Sequence, residues 1–150
     1  MRHLSLPLSR CLGPTLACLA VLAATGASAP CFAEGKTSFQ ALVVAASTAG
    51  KEVDHALKGM ESDFKRNGLA YTSFKLVGRE SLSLSPGQSG SVRLPNGTAK
   101  VTLLRLEGKS ARVKVAAPSS TSEYSMAPGG EAYIDAGAQG ASKLFLIIKR

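Results

Sequence analysis

The segment SVRLPNGTAKVTLLRLEGKSARVKVA, Ser91–Ala116, decides the fold. In its last third, Ala111, Val113 and Val115 alternate with Arg112 and Lys114, which is the two-residue period of a strand with one dry and one wet face. Upstream, Pro95-Asn96-Gly97-Thr98 separates Ser91–Leu94 from Lys100–Leu106, a strong hairpin signal. Glu107-Gly108-Lys109 then turns the chain into Ser110–Ala116. Three short strands joined by tight turns describe an antiparallel sheet.

The same pattern extends in both directions. Upstream, Tyr71–Val77 and Ser81–Leu84 read as strands, followed by a turn at Pro86-Gly87. Downstream, Pro118–Thr121 is a polar loop. Glu123–Met126, Pro128-Gly129-Gly130 and Glu131–Asp135 are expected to form another hairpin. Ala136–Ser142 reads as a small-residue loop, and the LFLII run Leu144–Ile148 as a central strand. Before all of these, FQALVVAA (Phe39–Ala46) is short enough for a buried strand, and Ser47–Lys51 reads as a loop. The period then changes. Val53, Ala56, Leu57, Met60 and Phe64 share one helical face, with Asp54–Lys58 and Glu61–Lys65 at i,i+4 spacing opposite. Asp54 suits the N-cap, and Asn67-Gly68 the stop. The expected architecture is α+β: an N-terminal strand, one amphipathic helix on one face or end of the sheet, then a mostly antiparallel region of six to seven strands.

The first 33 residues have a different character. Arg2, His3 and Arg10 precede an apolar run from Cys11 to Ala24, and small residues follow at Ala27-Ser28-Ala29 and Cys31-Phe32-Ala33. This is the order of a secretory signal peptide. A cut after Ala29 would place Pro30 at the scissile bond, so Ala33 is the expected site and 34–150 the expected single domain. The apolar run of 14 residues contains Gly13 and Pro14, whereas a membrane span needs about 20. Cleavage would remove Cys11, Cys18 and Cys31, and thiol chemistry with them. It would also lower the net charge from +8 to +6, by the loss of Arg2 and Arg10. The expected destination is the periplasm or the extracellular space.

The chemistry available to such a domain is limited. Ala45–Glu52 (AASTAGKE) has the Gly-Lys of a phosphate loop, but Ala45 replaces the first glycine and Glu52 the metal-binding hydroxyl. At most, amides opening the helix could hold an anion. His55 is the one histidine beyond the leader. It falls opposite the apolar stripe, with no second histidine or cysteine to complete a metal site. No G-x-S-x-G elbow occurs, and Gly87-Gln88-Ser89-Gly90 reads as a turn. No catalytic, cofactor-binding or metal-binding residue is therefore assigned, and no cofactor is expected. Asn96-Gly97-Thr98 formally matches a glycosylation acceptor, although turn chemistry also explains it.

The best candidate surface is basic: Arg93, Lys100, Arg105, Arg112 and Lys114, with Lys109 near them and Glu107 the one acid between. Trp is absent and no aromatic residues interleave with these cations, so nucleic acid is not an expected partner. An acidic envelope protein or another anionic surface is. Two other readings remain open. A small secreted hydrolase would bring together carboxylates from Glu80, Glu107, Glu123, Glu131 and Asp135, with raised pKa values. A carrier of a small apolar ligand would hold a cavity of a few hundred Å³ between helix and sheet.

SFKLVGRESLSLSPGQSGSVRLPNGTAKVTLL (Ser73–Leu104) resembles small exported bacterial proteins of unknown function. Tyr124–Ile148, with its Pro-Gly-Gly turn and LFLII strand, resembles the β-domains of secretin-type outer-membrane assemblies. The resemblance implies a bacterial protein of the cell envelope and assigns no functional residue. The functional expectation is an exported, non-enzymatic binding or structural module, an accessory part of an envelope assembly.

Overall fold

A computed structural model describes residues 35–150; the expected leader, its cleavage sites and the three cysteines lie outside them. Eight strands form two four-stranded antiparallel sheets. They are β1 (Thr37–Ser47), β2 (Ser73–Leu84), β3 (Ser89–Leu94), β4 (Gly97–Glu107), β5 (Ser110–Ala116), β6 (Thr121–Met126), β7 (Glu131–Gln139) and β8 (Ser142–Lys149). The first sheet runs β2-β1-β8-β7 and the second β3-β4-β5-β6. Among the described residues the count is eight, not six to seven, with β1 ahead of the helix and seven strands behind it. Every strand lies beside its neighbours in sequence and β1 pairs with β8, so the sandwich is an up-and-down barrel flattened and parted along two seams, β2/β3 and β6/β7.

Between the sheets, Phe39, Ala41 and Val43 from β1 and Leu144, Leu146 and Ile148 from β8 meet Val92, Val101, Leu103, Val113 and Val115 from the second sheet. The intervening residues of β1 and β8 face the other way. Leu42, Val44, Phe145 and Ile147 pack under Leu57, Met60 and Phe64 of the helical segment. Both faces of the central pair are therefore covered. That is why FQALVVAA and LFLII are continuous apolar runs while β5 alternates. The expectation of a central strand at Leu144–Ile148 is met, with β8 lying between β1 and β7.

The helix differs from its expected form. His55–Met60 is 3₁₀ and only Glu61–Arg66, α1, is α-helical. Asp54 does cap it, its Oδ1 accepting the Ala56 amide at 3.1 Å. At three residues per turn Leu57 and Met60 align, and Ala56 is carried round to solvent. Val53 leaves the expected stripe to form a bridge with Phe74.

Two connections differ in form from those expected. Pro128-Gly129-Gly130 carries the chain from one sheet to the other, so β6 and β7 form no hairpin. Its backbone pairs instead with Arg150, which accepts from Gly129 and donates to Gly130. The small-residue stretch continues β7 to Gln139, and the true hairpin is β7–β8, turning at Gly140-Ala141. A bulge at Ala136 makes this possible. Gly137, at φ +100°, donates its amide to Asp135 Oδ1, and a Cβ there would lie 2.8 Å from Asn96 Nδ2. Tyr71–Val77 and Ser81–Leu84 merge into β2, whose register slips opposite Val43/Val44 and leaves Val77 unpaired and exposed.

Candidate functional site

The alternation of β3, β4 and β5 places Arg93, Lys100, Arg112 and Lys114 on the outer face of the second sheet, and a bulge at Leu104 brings Arg105 to join them. The first sheet's outer face is roofed by the helical segment, whereas this one is exposed. The hairpin register refines the arrangement. Lys100 faces Ala116 and Lys114 faces Thr102, so the two lysines are diagonal neighbours and not a direct pair. Arg105 does stand opposite Arg112, a repulsive placement for two cations. Glu107 relieves it, with its Oε1 2.5 Å from Arg105 Nε and 3.7 Å from Arg112 Nε. The Arg105 hydrogen bond holds the Glu107 carboxyl below its ordinary pKa.

One acidic neighbour of this face is not evident from the sequence. Glu123 lies opposite Lys114 across the β5/β6 ladder, a juxtaposition that becomes visible only once the register is known. Around the charges the face carries hydroxyls: Ser91 stands opposite Lys100, and Ser89 and Thr102 share a hydrogen bond of 2.8 Å. The arrangement suits many weak, directional contacts to an anionic surface. It offers no aromatic anchor for a buried one.

Four of the five carboxylates named for hydrolysis are used otherwise, Glu107 by the arginines as above. Glu80 Oε1 accepts the Arg93 amide at 3.1 Å across the β2/β3 seam. Asp135 binds Lys143 at 2.7 Å and Glu131 binds Lys149 at 2.6 Å. Burial raises both acids, but the lysines outweigh it, helped by the Gly137 amide at Asp135 and the Tyr133 hydroxyl at Glu131, and both carboxyls sit below their ordinary pKa. The shifts of Glu107, Asp135 and Glu131 run opposite to the raised value a general acid needs. Among the described residues no three His, Cys, Asp or Glu side chains converge as a metal site, and no helix is long and apolar enough to cross a membrane.

His55 is exposed as expected. The Ala45–Glu52 segment is pinned by Thr72, whose Oγ1 donates towards the Thr48 and Gly50 carbonyls at 3.1 and 2.7 Å. The Asp54 carboxylate occupies the start of the helix, so an anion there would meet a like charge. Asn96 acts as a latch, its Nδ2 donating to the Ala136 carbonyl at 2.8 Å. That amide is the group a glycan would need.

A cleft of about 250 Å³ opens between α1 and the start of β2, lined by Lys51, Val53, Glu61, Lys65, Tyr71, Thr72 and Phe74. The expected Glu61–Lys65 ion pair does not form; the ion pairs among the described residues involve neither residue, nor Lys51. The i,i+4 spacing hid these side chains by suggesting that they satisfied each other. Neither a protein-family model, nor a curated protein, nor a solved structure matches this chain.

Proposed function

We propose that the protein is an exported, non-enzymatic binding module, an accessory or structural component of a bacterial envelope assembly, which docks through the outer face of β3–β5 onto an acidic protein surface. The observation that carries this reading is the gathering of five cations on the sheet face that the helix leaves open. Glu107 accounts for Arg105 and Arg112, so Lys100, Lys114 and Arg93 are the charges most available to a partner. Such a face contributes through steering and many exposed contacts, each worth under about 1 kcal/mol, and the association should be salt-sensitive.

The test is a pull-down from envelope extracts with the wild-type chain and with the double variant Lys100→Glu, Lys114→Glu. A partner should be retained at low salt, released at about 1 M salt, where the screening length is about 3 Å, and captured at least about tenfold less by the variant. Undiminished capture by the charge-reversed chain would overturn the proposed face.

A further inference from the structure

On the opposite side of the molecule, a second surface combines apolar rings with uncompensated charge. Phe74 stacks on Phe64 with ring centroids 4.4 Å apart. Tyr71 meets Phe74 edge-on at 6.5 Å and Phe145 at 5.6 Å. Phe64 is fully buried and Phe74 nearly so, while Tyr71 is half-buried. The rings thus form a floor fixed from below by the core of the first sheet. Thr72 is fixed too, because its hydroxyl is spent on the carbonyls of the Ser47–Gly50 loop. Above this floor stand Lys51, from that loop, and Lys65, from α1, with Glu61 on the same rim.

We infer that this cleft is a binding site for a small ring-bearing organic monoanion, of the class of an aromatic carboxylate. Each part of the ligand follows from a part of the site. Tyr71, Phe74 and Val53 offer apolar and edge-to-face contact to a flat ring. Lys51 and Lys65 offer ammonium groups that make no ion pair among the described residues. Glu61 reduces the rim to a single net positive charge, which favours a monoanion over a phosphate dianion. The volume, about 250 Å³, falls just below the roughly 300–1,000 Å³ of drug-sized sites and suits one or two fused rings. The site shares no residue with the basic face of β3–β5, so it stands or falls independently of the docking reading.

The probe is 1-naphthoate, with 1-naphthalenemethanol as its neutral counterpart and inorganic phosphate as the ring-free anion, titrated into the isotopically labelled protein and followed by amide chemical shifts. Naphthoate should give saturable shifts confined to Lys51–Val53, Lys65 and Tyr71–Phe74. The alcohol and phosphate should bind at least about tenfold more weakly. The double variant Lys51→Gln, Lys65→Gln, whose exposed substitutions leave the core intact, should keep the wild-type circular dichroism and lose about tenfold in affinity. Absence of saturable shifts with millimolar naphthoate would overturn the inference. So would equal binding of the alcohol, or undiminished binding by the folded double variant.

Discussion

Glu80 sits on the inner side of edge strand β2 and spends its carboxylate on the Arg93 amide of edge strand β3. Inward-pointing charge on an edge is a known guard against strand addition, and here it also joins the two sheets. Glu80→Ala should destabilise by about 1 kcal/mol in urea unfolding, and Glu80→Gln, which keeps an acceptor, by less. Asn96, from the β3–β4 turn, and Asp135 hold the β7 bulge. Asp135 has a folded pKa below its unfolded one, so its stabilisation is complete above the unfolded value of about 4 and is lost as pH falls through the folded value. Asp135→Asn should therefore be less stable than wild type at neutral pH and lose less between pH 5 and pH 3. Denaturation midpoints at the three pH values would show it; parallel pH profiles for the two proteins would refute it. Four cations of the basic face were legible in the sequence because strand alternation assigns each a side, whereas Arg105 reaches that face only through the bulge at Leu104. Their cross-strand neighbours were not legible, since Glu123 comes opposite Lys114, and Arg105 opposite Arg112, only through register across strands.

At the scale of elements, the helical segment shows where local preference yields to packing. Asp54, Leu57, Met60 and Phe64 carried a readable signal, and the cap and the buried side chains follow it. The 3₁₀ geometry of the first half does not follow from periodicity, because spacings of three and four are both present and only the docked position selects between them. Gly59 lies in that half, without positive φ and with open space where a Cβ would stand. Gly59→Ala should stabilise the protein by about 0.5 kcal/mol, through the lost freedom of the unfolded chain, and thermal unfolding would register a rise in Tm. Phe64→Ala removes the fully buried ring that bridges helix and sheet, and should cost about 3–5 kcal/mol. If that variant unfolded within about 1 kcal/mol of wild type, the helical segment would not be the roof of the first sheet.

For the molecule as a whole, the controlling feature is the pairing of β1 with β8, Ala41 against Ile148, across nearly the whole described length. These strands are central in their sheet and covered on both faces, while β6 is a short, polar edge strand. Hydrogen exchange should therefore find the β1 and β8 amides opening only with global unfolding and those of β6 opening locally; equal protection across the three strands would contradict this hierarchy. Folding should be slow for the size, in the millisecond-to-second range typical of non-local β topologies. The amino-acid sequence by itself determined the β-rich class, the Asp54 cap, the hairpins at Pro95-Asn96 and Gly108-Lys109, and the wet and dry faces of β5. Those features depend on sterics and hydrogen bonding within a few residues. Only the tertiary structure decided that there are two sheets, that Pro128-Gly129-Gly130 crosses between them, and that Lys51 and Lys65 share a rim. A turn carries the same local signal whether the next strand joins the same sheet or the facing one, and burial of both faces of β1 and β8 selects the second.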